Sequence, residues 1–167
     1  MKSFLFILVI AATVLALAIP VNAAGKENKY EYVQVNRFDV EQGVDFPADY
    51  QLGMVENLVK QFGKMKGVKQ VLREGETVPE GKPVLVITGT VTKFKKGSQA
   101  ARYIVGFGAG STVVAAQLKC LDSATKEVLL DRKVDGKVVM GVMGGKSEGA
   151  TNGLAKEVAK VTKEKFF

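Results

Sequence analysis

Residues 112–139 have the sequence TVVAAQLKCLDSATKEVLLDRKVDGKVV, which predicts two β-strands joined by a short turn. Every second residue from 114 to 120 is apolar, as on the buried face of a strand. The polar sequence DSATK at residues 122–126 separates the strand at 112–121 from the strand at 128–139. A connection of this length and composition predicts that the two strands form an antiparallel hairpin.

Three more strands are predicted on the amino-terminal side of this hairpin. Residues 84–94 form a long run of Val, Ile and Thr, residues 30–38 are rich in aromatic and β-branched side chains, and residues 70–73 are a short candidate. Residues 76–83 have the Pro and Gly content of a surface connection. The strand at 84–94 and the two strands of the hairpin make β-structure dominant in the second half of the chain.

Two amphipathic helices accompany the strands. One is predicted to begin near Pro47 and to end at Gly63, and the other to cover residues 148–165 with lysines on its outer face. Their apolar stripes have three- and four-residue spacing and comprise Tyr50, Met54, Val55, Leu58, Val59 and Phe62 in the first and Ala150, Leu154, Ala155, Val158, Val161 and Thr162 in the second. The pattern predicts one α+β domain with a mixed, largely antiparallel sheet of about four to five strands and both helices on one face.

The amino terminus has the pattern of an export signal. Lys2 precedes an uncharged apolar run at residues 4–19, and Pro20 is followed by Val21-Asn22-Ala23. This order predicts a signal peptide at residues 1–23, cleaved after Ala23, and a mature domain at residues 24–167. The alternative is an uncleaved anchor, because sixteen apolar residues approach the lower limit of about 17 for a membrane span. Ala24 occupies the position where a lipoprotein has cysteine, so we expect a soluble periplasmic protein and not a lipoprotein.

The chain is basic, with 24 Lys and Arg against 17 Asp and Glu and a net charge of +7. In an exported protein such a charge favours acidic lipid head groups, cell-wall polymers or acidic proteins before nucleic acid. The lysines are dispersed along the sequence, which favours the simpler interpretation that they keep the protein soluble. Composition alone leaves both interpretations open.

Catalytic and metal-binding groups are scarce in the sequence. The chain has no histidine and one cysteine, Cys120, so it has no internal disulfide, and a structural zinc site or a thiol paired with a histidine base is not expected. Cys120 falls on the apolar face of its predicted strand, which favours a buried structural thiol. We therefore predict a non-enzymatic protein without a metal or cofactor.

The first glycine-rich segment, GFGAGS at residues 106–111, lacks the spacing and the following helix of a dinucleotide-binding fingerprint. Residues 103–118 carry no charge and include a G-x-x-x-G spacing, so peripheral membrane contact is one interpretation. A bend or bulge that lets two backbones approach is the plainer one. The residues of this candidate interaction surface are Arg102, Tyr103, Gly106, Phe107, Gly108 and Gly110.

The second glycine-rich segment contains a weak phosphate-loop candidate, Gly145, Lys146 and Ser147. It lies between a predicted strand and a predicted helix, as a phosphate-binding loop does. The spacing of that motif requires its first glycine at Met140, whereas Gly141 comes one residue later. The alternative, which fits the spacing better, is a flexible turn in which Ser147 caps the last helix.

The arginine and Gly-x-Gly-x-Gly sequence at residues 102–111, the following strand, the turn at 122–125 and the later Gly-Gly segment resemble a family of bacterial exported proteins and lipoproteins, domain of unknown function 4410. The resemblance covers residues 85–167, although Lys126 stands where the family often has glycine. It implies an envelope location and a likeness to small α/β accessory domains of envelope machinery. It implies no reaction, and no functional residue is carried over from it.

Together these observations predict an exported, non-enzymatic accessory or binding domain. Its partner is expected to be an envelope protein or an anionic envelope polymer, and nucleic acid is not expected. Two alternatives remain at this point: peripheral membrane association through residues 103–118, and phosphate or nucleotide binding through Gly145, Lys146 and Ser147. The sequence indicates no particular oligomeric state.

Overall fold

The computed structural model describes residues 29–97, 112–138 and 148–167. In chain order, their helices and strands are β1 (Tyr32–Val35), β2 (Asp39–Val40), α1 (Ala48–Phe62), β3 (Gln70–Arg73), β4 (Val84–Lys95), β5 (Thr112–Asp122), β6 (Val128–Val138) and α2 (Glu148–Phe166). This composition confirms the predicted α+β class, the two helices and the hairpin.

The described sheet has six strands, in the order β3-β1-β4-β5-β6, with β2 pairing separately with β4. The main path has five strands, as predicted, and the short strand β2 is the sixth. Of the predicted strand at residues 30–38, Tyr32–Val35 form β1, and β2 (Asp39–Val40) follows after residues 36–38, where Phe38 turns into the core and is 1% exposed. The three pairs made by β1 and β2 are parallel, whereas the long pairs β4–β5 and β5–β6 are antiparallel.

Both helices pack on the same face of the sheet, as predicted. Their inward residues alternate with solvent-facing ones at helical spacing, and the core-facing strand residues alternate with period two. The fully buried residues of this core include Met54, Leu58, Phe62, Leu154, Ala155 and Val158 from the helices and Val33, Val35, Leu85, Ile87, Val91, Val114, Leu118 and Cys120 from the strands. The predicted stripe of α2, from Ala150 to Thr162, is buried in full.

The sheet has two ends, which the strand pairing defines. At the upper end β4 finishes at Lys95, which is paired with Val113 of β5, while Thr112 is paired with Val138 of β6. At the lower end β4 begins at Val84, whose carbonyl oxygen accepts a hydrogen bond from the Ser123 nitrogen at 3.0 Å. Helix α1 begins beside Phe94 at the upper end, and α2 ends beside Tyr30 at the lower end. The two helices are staggered, since the Gln61 side chain in the last turn of α1 donates a hydrogen bond to Asn152 Oδ1 near the start of α2 at 3.2 Å.

Helix α2 lies directly against the backbone of β6. A Cβ atom added to Gly136 would be 2.3 Å from the Leu154 nitrogen and 2.8 Å from the Ala150 carbonyl oxygen. Real Cβ atoms do not approach backbone atoms so closely, so only glycine fits between this strand and this helix. The packing of α2 on the sheet therefore depends on a residue without a side chain.

Candidate functional site

The upper end of the sheet carries the flanks of both glycine-rich segments. The Gly97 nitrogen donates a hydrogen bond to Thr112 Oγ1 at 3.1 Å, and Thr112 itself is 1% exposed. Because Thr112 is paired with Val138, the residues that precede and follow the first segment lie beside the residue that precedes the second. The two segments are thus attached to neighbouring strands at one end of the fold.

An aromatic cluster of Phe46, Tyr50 and Phe94 supports this end. The ring centroid of Phe94 lies 5.1 Å from that of Phe46 and 4.9 Å from that of Tyr50, in edge-to-face arrangements. Such geometry is favourable for aromatic pairs. The cluster packs the start of α1 against the last residues of β4, which follow the bulge at residues 91–93. The upper end is therefore stabilised by aromatic packing between α1 and β4.

This aromatic cluster was not predicted from the sequence. Phe46 and Tyr50 have the helical spacing of a common face, but Phe94 is 44 residues further on and meets them only through the fold. Tyr50 was correctly placed on the inner face of the first helix. The contact with the end of β4 depends on the position of α1 over the sheet, which periodicity does not give.

The candidate residues themselves fall outside the described part of the chain. This applies to the proposed interaction surface, to the phosphate-loop candidate and to the predicted signal cleavage position. The residues concerned are Arg102, Tyr103, Gly106, Phe107, Gly108, Gly110, Gly145, Lys146, Ser147 and Ala23. Their roles remain predictions, and the structure contributes the arrangement of the flanking residues.

A buried carboxylate organises the lower end. Asp122 Oδ2 accepts hydrogen bonds from the Tyr30 hydroxyl at 2.8 Å and from Lys29 Nζ at 3.2 Å, and Oδ1 accepts from the backbone nitrogens of Ala124 at 3.0 Å and Thr125 at 3.2 Å. The Tyr30 hydroxyl and then the backbone N–H of Thr125 hold the pKa of this carboxyl well below its usual range. These hydrogen bonds hold the turn between β5 and β6 and join it to Lys29 and Tyr30, so we interpret the role of Asp122 as structural.

Cys120 is buried, as predicted. Its Sγ lies 3.9 Å from Thr162 Oγ1 of α2, and burial raises the pKa of the thiol to about 12. A thiol in this environment stays protonated near neutral pH and is a poor nucleophile. The side chain functions as part of the core between β5 and α2.

Metal-ligating groups do not converge within residues 29–97, 112–138 and 148–167, where no three His, Cys, Asp or Glu side chains are arranged to hold an ion. Asp131 of β6, four residues before Asp135 on the same strand, accepts a hydrogen bond from the Gln117 side chain. In the same described ranges no helix has the length and apolar character needed to cross a bilayer.

These features define a two-layer α+β domain. Its upper end is supported by the aromatic cluster and carries the flanks of two glycine-rich connections. Family comparison matches residues 49–157, more than half of the chain, to the Domain of unknown function (DUF4410). The chain therefore belongs to this family. The match begins in α1, so it extends further towards the amino terminus than the resemblance noted from residue 85 onwards. No curated protein matches the chain.

Solved structures share the fold at low sequence identity. Two structures of the PelC dodecamer from Paraburkholderia phytofirmans have TM-scores of 0.54, with 13% identity over 83% of this chain in one and 14% over 81% in the other, and 88% of the PelC chain covered in both. Lipoprotein GNA1162 from Neisseria meningitidis is 16% identical over 70% of this chain and 86% of its own, with a TM-score of 0.41. At 13–14% identity the likeness to PelC concerns the fold alone.

Proposed function

We propose that this protein is an exported, non-enzymatic accessory domain that binds an envelope protein or an envelope polymer through the upper end of its sheet. The observation that carries the proposal is that the flanks of both glycine-rich segments meet there, at Gly97, Thr112 and Val138. Family membership names no reaction, since the family is defined as a domain of unknown function.

The chemistry of the first segment suits recognition. Arg102, Tyr103 and Phe107 belong to the residue types that are enriched at protein interfaces, and arginine and tyrosine are among those that contribute most to binding. Binding residues are often placed on loops that a rigid scaffold positions. The hydrogen-bonded strands and the aromatic cluster of Phe46, Tyr50 and Phe94 supply such a scaffold.

The test is crosslinking in living cells from a photoreactive amino acid that replaces Phe107, with mass spectrometry of the captured species. A matched control places the same amino acid at Leu52, which is apolar, 59% exposed and on the outer face of α1. We expect a reproducible adduct from position 107 that is absent from position 52. Identical adducts from both positions, or none from position 107, would contradict the proposal.

The identity of the adduct then specifies the partner. A protein adduct supports protein recognition, and an adduct between two copies identifies the partner as the chain itself. A glycan adduct supports an envelope polymer. In each case Arg102→Ala should weaken capture on the order of fivefold or more, because arginine is enriched among the interface residues whose truncation costs more than about 1 kcal/mol.

A further inference from the structure

Lysines that are dispersed in the sequence meet at the lower end of the fold. The Lys69 nitrogen donates a hydrogen bond to the Glu31 carbonyl oxygen at 2.7 Å, which joins the start of β3 to the start of the described chain. The ring centroids of Tyr30 and Phe166 are 5.8 Å apart, which brings the end of α2 to the same place. The segments that lead into these contacts carry the exposed lysines Lys29, Lys64, Lys66, Lys69, Lys163 and Lys165. We name this surface the lysine end.

The lysine end accounts for the positive charge of the described residues. Its segments, residues 29–31, 60–69, 122–127 and 160–167, contain nine lysines and four acidic residues. The other described residues contain 11 basic and 12 acidic side chains. Among these acids, Glu31 is paired with Lys69 at 2.7 Å and buried Asp122 with Lys29 at 3.2 Å. The excess charge is therefore concentrated at one end.

Helix dipoles do not explain the whole cluster. The partial negative charge at the end of a helix favours lysines in its last turn. This effect accounts for Lys60, Lys163 and Lys165. Lys29, Lys69 and Lys126 belong to no helix, yet they add to the same surface. A surface that collects lysines from helices, strand ends and a turn calls for an explanation in terms of an anionic partner.

We propose that the lysine end binds the anionic phospholipid head groups of a bilayer surface. Lysine ammonium groups are strongly hydrated point charges that suit diffuse attraction to a charged surface better than bidentate recognition of one group. The positive side chains project from both helix ends, a strand end and a turn, and so they present a broad surface to the bilayer. Each lysine near an anionic membrane strengthens binding by about fivefold.

This inference is independent of the proposed role of the upper end, because the two surfaces lie at opposite ends of β4 and share no residue. It also places membrane contact elsewhere than in residues 103–118, the segment that the sequence pointed to. Variants at Phe107 and variants at the lysine end therefore report on different interactions, and either interaction can fail without the other.

The test is co-sedimentation of the mature protein with vesicles of phosphatidylcholine that contain phosphatidylglycerol, compared with pure phosphatidylcholine. We expect binding to the anionic vesicles at low ionic strength, loss of that binding as salt is added, and no binding to the neutral vesicles. Absence of binding to the anionic vesicles at low salt would overturn the proposal.

A pair of charge-matched variants locates the surface. Lys64→Gln, Lys66→Gln and Lys163→Gln are combined in one protein, and Lys93→Gln, Lys119→Gln and Lys133→Gln in its control. All six lysines are exposed, and both variants lose three charges. We expect the first to bind on the order of 100-fold more weakly and the control to remain within about threefold of the wild type. Equal losses would show attraction to net charge only and would overturn the proposal, and equal urea midpoints verify that both variants fold.

Discussion

Replacement of Gly136 by alanine tests the packing of α2 on the sheet. The added Cβ would lie 2.3 Å from the nitrogen and 2.7 Å from the Cα of Leu154, and 2.8 Å from the carbonyl oxygen of Ala150. All three are backbone atoms of α2, so no side-chain rotation can relieve the overlap. The helix or the strand must move by about 1 Å to restore ordinary contact, and the core beneath it must follow because protein interiors are close-packed.

The expected cost follows from that displacement. Overpacking a core commonly costs about 1–3 kcal/mol, and the lower backbone entropy of alanine in the unfolded chain offsets about 0.5–1 kcal/mol of it. Because three backbone atoms overlap, the cost lies in the upper part of that range, about 2–3 kcal/mol, and the net loss is about 1–2.5 kcal/mol. At about 4 °C per kcal/mol for a chain of this size, Gly136→Ala should lower the Tm by about 4–10 °C. The same argument applies to Gly89, whose added Cβ would be 2.3 Å from the Gln117 carbonyl oxygen.

The assay is thermal and urea unfolding of the mature protein followed by far-UV circular dichroism, with Gly53→Ala as the matched control. Gly53 lies in α1, and its added Cβ would be 4.0 Å from the nearest atom, Thr151 Oγ1, which is an ordinary contact. Alanine is the better helix former by about 0.8–1 kcal/mol, so the control should be stabilised. If Gly136→Ala were as stable as the wild type, α2 would not lie against β6 as described, and the reasoning would fail.

Three further predictions concern single side chains. Asp122→Asn should cost about 1.5–3 kcal/mol at neutral pH, because the charge-assisted hydrogen bond from Tyr30 is weakened. The pKa of Asp122 is lowered in the folded state, so its stabilising contribution is present above about pH 4 and is lost as the pH falls, and the variant's urea midpoint should depend less on acid pH than that of the wild type. Cys120 should react with an aromatic disulfide reagent at pH 8 only after unfolding, since burial raises its thiol pKa to about 12; rapid reaction of the native protein would refute the buried position. Arg73→Ala should change the free energy of unfolding by less than about 1 kcal/mol in a urea titration, because its ion pair with Glu56 is solvent-exposed.

Local periodicity was sufficient to predict most of the secondary structure. The period-two pattern placed β4, β5 and β6 to within a residue or two over their described lengths, and the apolar stripe placed α1 and α2 equally well. These elements were predictable because each buries one face, and apolar residues therefore recur along the sequence with the period of a strand or a helix. The turn at residues 122–126 was predictable because its short, polar sequence is typical of a hairpin connection.

Contacts between distant residues were not predictable in this way. The sequence did not indicate that β1 lies between β3 and β4 in parallel, nor that Tyr30 would meet Asp122 across 92 positions. The dispersed lysines were interpreted as a solubility feature because their gathering depends on which helix and strand ends come together. The candidate residues at 102–110 were selected for their composition, and the fold adds the aromatic support below their flanks, which composition could not predict.

The two proposed surfaces lie at opposite ends of one strand, and this separation yields a last prediction. Strand β4 has 12 residues, so about 36 Å separate the lysine end from the upper end. A domain that rests on a membrane by the lysine end would direct the upper end away from the bilayer, towards a partner in the envelope. Because the two surfaces share no residue and lie at opposite ends of β4, the Lys64, Lys66 and Lys163 variant should leave the pattern of Phe107 adducts with purified envelope extract unchanged in the absence of membranes. A changed adduct pattern under those conditions would show that the lysine end takes part in partner binding, and the division of roles between the two ends would then be wrong.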